Sequence, residues 1–106
     1  MDCNLICGDS REEIKKLSTK IDLLITDPPY NVGYKYNDYK DNLDWNKYFD
    51  EQEALLVEAK RILKPTGSVL WLNYPESAAI MWTRLLKHFH PVEWITWIYQ
   101  FVSRKP

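Results

Sequence analysis

Short apolar segments of strand length alternate with segments of helical periodicity along this chain, and this alternation limits the fold more than any other feature. Strands separated by helices pair in parallel through right-handed crossovers. We therefore predict an α/β fold on a doubly wound sheet of about four mainly parallel strands with flanking helices. The predicted strands are Asn4 to Cys7, Ile21 to Thr26, Ser68 to Asn73 and Val92 to Phe101.

The segments between these strands carry signals of helix starts and stops. Ser10 and Glu13 have the spacing of a capping box, which predicts a helix running to about Leu17. Apolar residues that recur every seven positions predict a second helix from about Trp45 to Leu63. Pro75 predicts the start of a third, because proline fits the first helical turn, where an N–H group has no helical partner.

The predicted strand from Ile21 to Thr26 reads as fully buried, with Asp22 as its one polar exception. In open α/β sheets ligands bind beyond the carboxyl ends of the strands. Asp9, Asp27 and Asn73 all lie at such ends. This placement predicts a site at that edge of the sheet, although Asn73 is more typical of a structural residue in a turn.

The sequence Asp27-Pro28-Pro29-Tyr30 directly follows this strand. Asp27 supplies a carboxylate acceptor, and the locked φ angles of the prolines hold backbone carbonyls in place. Two acceptors can bind both hydrogens of one NH2 group. Such hydrogen bonds favour a more tetrahedral nitrogen whose lone pair is exposed. Tyr30 offers a ring face, and stacking contributes roughly 1 to 3 kcal/mol per base. The pattern therefore predicts a binding site for a planar exocyclic amine. The alternative is a structural proline turn with Tyr30 packed in the core.

Residues Asp27 to Gly33 resemble the amine-binding motif of the S-adenosylmethionine-dependent DNA methyltransferases that modify adenine N6 or cytosine N4. The resemblance extends upstream to Leu5 to Ser10 and downstream to Leu63 to Trp71. It implies a partial Rossmann-like methyltransferase sheet, S-adenosylmethionine as methyl donor and double-stranded DNA as partner. It also suggests DNA methylation within a restriction-modification system.

The resemblance further implies a set of site residues. Asp27 at the head of the motif favours adenine N6, with cytosine N4 and an RNA base as alternatives. Asp9 is expected near the cofactor, but it could instead cap the following helix. The implied sets are Asp27, Pro28, Pro29 and Tyr30 for catalysis, Asp9 and Asp27 for the cofactor, and Tyr30, Asn31 and Tyr34 for the substrate.

The order of the motifs resembles that of the circularly permuted class, often called beta. Twenty-six residues precede Asp27, too few for a glycine-rich cofactor loop with its helix and next strand. Gly8, Gly33 and Gly67 are the only glycines, so the chain contains no such loop. We therefore expect residues 1–106 to be the N-terminal catalytic half of a DNA methyltransferase domain, with the cofactor-loop half absent. Such a chain would be inactive alone and would need a complementary C-terminal half or a second copy; a non-catalytic remnant or interaction subunit is the alternative.

The segment from Asn31 to Asp44 has neither helical nor strand periodicity. It contains Tyr34, Tyr36 and Tyr39 with Lys35 and Lys40 among them. Long irregular loops in compact domains are usually functional or disordered. The functional hypothesis is a lid that closes over a flipped base, with a tyrosine stacking and a lysine near a phosphate. The alternative is a mobile loop, or one ordered only by an absent half.

Charge and cysteine content add few constraints. The net charge of −1 gives no global basic signature of a nucleic-acid binder. Two cysteines are too few for a disulfide scaffold, and no signal peptide precedes them, which predicts the reducing cytoplasm and no membrane. Cys3, Cys7, His88 and His90 lack the spacing of a zinc finger, so we predict no metal site.

Overall fold

The computed structural model describes residues 2–100. Within these residues two strands and three α-helices are formed, and a short 3-10 helix over Ile14–Lys16 extends the first helix. The elements are α1 (Ser10–Glu13), β1 (Ile21–Thr26), α2 (Trp45–Ile62), β2 (Leu63–Trp71) and α3 (Pro75–Leu85).

The two strands form one parallel sheet in which α2 is the crossover, and this confirms the predicted parallel pairing. Ile25 pairs with Leu70 and Thr26 with Trp71. The ladder continues past the strand ends, because the N–H of Leu72 donates to the carbonyl of Thr26 at 3.0 Å. The residues that follow β1 and β2 therefore emerge side by side at one edge of the sheet.

The helices pack on one face of this sheet. Tyr48, Phe49 and Leu56 on α2 form a buried cluster with Met81 on α3. Leu24 of β1 packs against this cluster. A second cluster joins Ala59 and Ile62 at the end of α2 to Ile14. The apolar stripe predicted on α2 is thus the side of the helix that covers the sheet, and the predicted bounds of α2 are confirmed to within one residue.

The opposite face of the sheet is open within the part of the chain that the structure describes. Leu23 is 47% exposed, Ile25 62% and Leu70 40%. The prediction that Ile21 to Thr26 is fully buried is therefore wrong. Alternate residues of a strand point to opposite faces, and the described helices cover only the face that carries Leu24.

Two of the four predicted strands are not formed in the part of the chain that the structure describes. Asn4 to Cys7 has no strand structure, and Leu5 is 95% exposed. Val92 to Gln100 likewise has none, while Phe101 lies outside the described residues. A strand needs a neighbour that pairs with its backbone N–H and C=O groups. Neither segment has such a neighbour among residues 2–100, so the predicted sheet of about four strands is reduced to two.

Two predicted element boundaries also differ. Asp9 is the N-cap of α1, where its Oδ1 accepts from the N–H of Arg11 at 2.9 Å. Ser10 is the first helical residue, so the predicted Ser10–Glu13 capping box is wrong: the carboxylate of Asp9 takes that role one residue earlier. The strand predicted from Ser68 to Asn73 instead runs from Leu63 to Trp71. It includes the Pro-Thr-Gly sequence, and its pairing with β1 is irregular there. The predicted helix start at Pro75 is confirmed.

Candidate active site

The residues Asp27 to Tyr30 form a corner at the carboxyl end of β1, hereafter the acidic-proline corner. Asp27 is exposed, and the other three residues are partly buried. The hydroxyl of Tyr30 donates a hydrogen bond to Oδ1 of Asp27. This bond raises the pKa of Tyr30 to about 12, and burial adds to the effect. The phenol is therefore protonated at neutral pH and acts as a donor to Asp27.

The corner retains acceptor capacity at Asp27. Within residues 2–100, no donor lies in hydrogen-bonding contact with Oδ2 of Asp27. The ring of Tyr30 meets the ring of Tyr74 edge-on, with centroids 5.1 Å apart. Tyr30 is thus fixed at its hydroxyl by Asp27 and at its ring by Tyr74, the residue after Asn73 at the end of β2. A carboxylate oxygen and an oriented aromatic ring lie together at an accessible edge.

Tyr48 is a site residue that the sequence reasoning missed. Its side chain is completely buried on α2, and its hydroxyl donates to the carbonyl of Pro29 at 2.5 Å. The same hydroxyl accepts from Nδ2 of Asn73 at 2.8 Å. Burial raises the pKa of Tyr48 to about 12. The available signal was a tyrosine within an apolar helical stripe, because a buried phenol needs a hydrogen-bond partner.

Asn31 continues the chain from the corner in a left-handed conformation, with φ of 61°. Its side-chain amide donates to the carbonyl of Leu43 at 2.9 Å and accepts from the N–H of Leu43 at 2.7 Å. The side chain is buried and pairs with both backbone groups of Leu43. These two hydrogen bonds join the start and the end of the loop between β1 and α2. The predicted substrate role of Asn31 stays a prediction.

A single carboxylate organises the start of the segment predicted to be a lid. Asp41 is 3% exposed, and its two oxygens accept from the N–H groups of Asn31, Val32 and Tyr34 at 2.8, 3.1 and 2.9 Å. The carbonyl of Asp41 accepts from Gly33 at 2.7 Å, and Gly33 has φ of 84°, a conformation that favours glycine. This part of the segment is therefore ordered by contacts within the chain itself.

The three tyrosines of the segment form a row of neighbouring rings. The rings of Tyr34 and Tyr36 lie 4.8 Å apart and those of Tyr36 and Tyr39 6.1 Å apart. Tyr34 is 65% exposed and Tyr36 45%. The backbones of Lys35 and Lys40 pair in an isolated antiparallel β-bridge. The predicted role of this loop as a lid over a flipped base stays a prediction.

The carboxylate of Asp9 is hydrogen-bonded to the guanidinium of Arg11. Both of its carboxylate oxygens accept from Arg11, with the shortest contact 2.6 Å from the terminal nitrogen Nη2. This hydrogen bonding lowers the pKa of Asp9 to about 2. Asp9 also caps α1, so the capping alternative is confirmed, while its predicted cofactor role stays a prediction.

Two other kinds of feature are absent from residues 2–100. No cluster of three or more His, Cys, Asp or Glu side chains is arranged around a common point that could hold a metal ion. No helix there has the length and apolar character needed to cross a membrane.

Known proteins similar to this chain are DNA methyltransferases. An N6/N4 methyltransferase family model, described as DNA methylase, matches residues 21–105. Type II methyltransferase M.HpaI of Haemophilus parainfluenzae is 39% identical over 106 residues, which cover 93% of this chain and 32% of the relative. DNA adenine methyltransferase YhdJ of Escherichia coli is 29% identical over 96 residues, 90% of this chain and 33% of the relative.

The similarity covers most of this chain but a smaller share of its relatives. The chain spans about a third of the length of the curated relatives named above. Type II methyltransferase M.MjaVI of Methanocaldococcus jannaschii is 44% identical over 55 residues, 52% of this chain and 28% of the relative. No solved structure is significantly similar to the chain.

Proposed function

Because this chain belongs to the DNA methylase family, we propose that it supplies the amine-binding part of an S-adenosylmethionine-dependent DNA methyltransferase. The proposed reaction transfers a methyl group to N6 of an adenine that has been flipped out of double-stranded DNA. The proposed catalytic residues are Asp27, Pro28, Pro29 and Tyr30.

One observation carries this proposal. Asp27 is exposed at the carboxyl end of β1, where ligands of open α/β sheets bind, and Tyr30 donates a hydrogen bond to one of its two oxygens. A buried carboxylate sealed beneath Tyr30 would leave no acceptor for a substrate. The accessible carboxylate and the rigid prolines beside it suit an NH2 group that needs two acceptors.

In the proposed mechanism the corner acts on the substrate nitrogen. Asp27 and the carbonyl of Pro28 accept the two amine hydrogens, which shifts electron density from the ring towards nitrogen and exposes its lone pair. The aromatic amine is far too weak an acid to lose a proton to a carboxylate at this stage. The methylated nitrogen is cationic and loses a proton readily, and Asp27 would accept this proton. Much of the rate acceleration would come from holding the two reactants in line.

The residues present fit part of a cofactor site. S-adenosylmethionine would supply a methyl group on a positively charged sulfur, and the C–S bond would break, leaving its electron pair on sulfur, as the N–C bond forms. The exposed carboxylate of Asp27 suits a neighbouring positive charge. Asp9 could accept a hydrogen bond from the cofactor only at positions that Arg11 leaves free, because Arg11 contacts both of its oxygens.

The proposed base-binding surface combines Tyr30 with the row of tyrosines. Tyr30 would stack on the flipped base, with Tyr34 as a second contact and Lys35 or Lys40 near a phosphate. Stacking contributes about 1 to 3 kcal/mol, which is comparable with the few kcal/mol that base flipping requires. Asn31 would contribute through the shape of the turn, because its side chain pairs with Leu43.

The choice of adenine rests on the Asp-led motif and is supported by a relative. YhdJ is named a DNA adenine methyltransferase. The family model is named for both N6 and N4 methylation, so N4 of cytosine is the second candidate. Methylated nucleosides from treated duplex DNA, separated by mass spectrometry, distinguish N6-methyladenine from N4-methylcytosine.

Activity is proposed to require a second polypeptide segment. The chain covers about a third of its relatives, and Leu23, Ile25 and Leu70 leave one sheet face exposed. We propose that a complementary C-terminal half, or a second copy, covers this face and completes the cofactor site. Equilibrium binding of S-adenosylmethionine, measured with the chain alone and with a complementary half, tests this requirement.

The deciding experiment measures transfer of labelled methyl to nucleic acid by the chain with its complementary half. The proposal predicts incorporation into duplex DNA and little into structured RNA. Preferential incorporation into RNA would identify an RNA base methyltransferase. Binding of neither cofactor nor DNA by the combined halves would identify a non-catalytic interaction subunit.

A further inference from the structure

The hydroxyl of Tyr48 joins three separate parts of the fold. The tyrosine lies on α2, its acceptor is the carbonyl of Pro29 in the acidic-proline corner, and its donor is the amide of Asn73 after β2. The side chain has no solvent exposure. A hydrogen bond in such surroundings is stronger than one exposed to water, and an unpaired partner there is costly.

The bond from Tyr48 restricts a residue that is already rigid. The ring of Pro29 locks its φ angle, so its ψ angle is the remaining backbone freedom of that residue. The hydrogen bond from Tyr48 holds the carbonyl group of Pro29, which a change in the ψ angle of Pro29 would rotate. The orientation of Tyr30 relative to Pro28 is thereby set by α2, and both are residues that the proposed mechanism uses.

Asn73 determines the direction in which the hydroxyl of Tyr48 donates. Its Oδ1 accepts from the N–H of Tyr74 at 2.9 Å, which turns the Nδ2 group towards Tyr48. A phenol oxygen that accepts from this amide must point its own hydrogen elsewhere, and the carbonyl of Pro29 is the acceptor in reach. The chain of hydrogen bonds therefore runs from Asn73 through Tyr48 to Pro29.

We propose that Tyr48 and Asn73 are positioning residues that hold the acidic-proline corner in the geometry needed to orient the substrate amine. This proposal rests on the proposed methyltransferase function. Neither side chain contacts the substrate; both act through the backbone at Pro29. Their removal is expected to lower the rate of methyl transfer far more than the binding of either substrate.

Tyr48→Phe removes the hydroxyl and retains the packing of the ring. Misplacement of a reacting group costs about tenfold to a hundredfold in rate, so we expect kcat to fall by that factor while KM for DNA and for cofactor changes less than about threefold. The matched control is Gln52→Met, also on α2. It removes a bond of comparable burial, that of Trp71 Nε1 to Gln52 Oε1 at 2.9 Å, without touching the corner. The control should lower thermal stability and leave kcat unchanged.

Asn73→Asp tests the direction of the chain of bonds. The new side chain keeps an oxygen for the N–H of Tyr74 but replaces the amide donor with an acceptor, which draws the hydrogen of Tyr48 away from Pro29. We expect kcat to fall by about tenfold or more. The double variant Tyr48→Phe/Asn73→Asp should be no slower than the slower single variant, because both changes break one connection. Additive losses would overturn the proposal.

Hydrogen exchange provides a measurement that does not depend on catalysis. The amides of Asn31 and Val32, which bond to Asp41 just beyond the corner, should exchange about tenfold faster in Tyr48→Phe and at the wild-type rate in Gln52→Met. Unchanged exchange in Tyr48→Phe would overturn the positioning role even if the wild-type protein transferred no methyl groups. Inactive wild-type protein with faster exchange in Tyr48→Phe would instead refute the proposed function alone.

Discussion

The hydroxyl of Tyr30 donates a hydrogen bond to Oδ1 of Asp27, the residue three positions earlier in the chain. This bond links the two residues of the acidic-proline corner whose side chains are proposed to bind the substrate. It holds one oxygen of the exposed Asp27 carboxylate, and it fixes the ring on which a base is proposed to stack. The remaining contacts of the site support this pair: Tyr48 holds Pro29, and Tyr74 packs against Tyr30.

Titration of Tyr30 tests the bond itself. Asp27 raises the pKa of Tyr30 to about 12 from an ordinary value of 10.0, because ionisation would break the hydrogen bond and place two negative charges together. We expect Asp27→Ala to return the pKa of Tyr30 towards 10.0. Ultraviolet absorbance of tyrosinate against pH, compared with that of Tyr30→Phe to assign the transition, measures the change. A transition that does not move would show that the bond is absent in solution.

Asp41 should be essential to the order of the loop. It accepts three backbone N–H bonds while buried, so Asp41→Asn places an NH2 group against donors and is expected to cost about 3 kcal/mol of unfolding free energy. Denaturant unfolding gives this value. Asp38→Asn, an exposed change in the same loop, is the control and should alter stability by less than about 0.5 kcal/mol. Equal effects of the two changes would contradict the assigned role of Asp41.

The ion pair of Asp9 with Arg11 predicts a defined dependence of stability on pH. The pKa of Asp9 is lowered to about 2 from 3.8, so its contribution is present above pH 4 and is lost as pH falls towards 2. Asp9→Asn retains the helix cap and removes the charge. Because the pair is largely exposed, the difference at pH 7 should be only about 0.5 kcal/mol. The free energies of unfolding of the wild type and Asp9→Asn, measured with denaturant at pH 7 and near pH 2, should converge at the lower pH. The same difference at both pH values would contradict the stabilising role of this ion pair.

The uncovered sheet face should be detectable in the isolated chain. Leu23, Ile25 and Leu70 are exposed side by side, which predicts binding of a dye that fluoresces on apolar surfaces. Addition of a complementary half should reduce the fluorescence. Leu23→Lys is expected to lower dye binding without the partner, whereas Lys15→Gln on exposed surface should not. Undiminished fluorescence on formation of the complex would mean that the partner covers another surface.

The sequence predicted the parts of the fold that depend on local pattern. The buried stripe of α2 and the start of α3 at Pro75 follow from helical periodicity and from the missing N–H of proline. The parallel pairing of β1 and β2 follows from the helix between them. The carboxyl ends of neighbouring parallel strands lie at the same edge of a sheet. The prediction that Asp27 and Asn73 lie at one edge is therefore confirmed.

The features that the sequence did not predict depend on partners distant in the chain. Tyr48 bonds to residues 19 and 25 positions away, and nothing in the helical period indicates which carbonyl its hydroxyl reaches. Asp41 was read as part of an irregular loop, although its carboxylate orders residues seven to ten positions earlier. Asn4 to Cys7 has the composition of a strand, but composition does not provide a neighbour to pair with.

The most direct test of the account is methyl transfer to duplex DNA by three forms of the protein, each combined with the complementary half: wild type, Asp27→Ala and Asp27→Asn. Asp27→Ala should abolish transfer, a loss of at least about 1,000-fold, while cofactor affinity changes less than about tenfold. Asp27→Asn retains a carbonyl acceptor and should keep more activity than Asp27→Ala. Turnover by Asp27→Ala at a rate near that of the wild type would contradict the claim that this carboxylate binds the substrate amine.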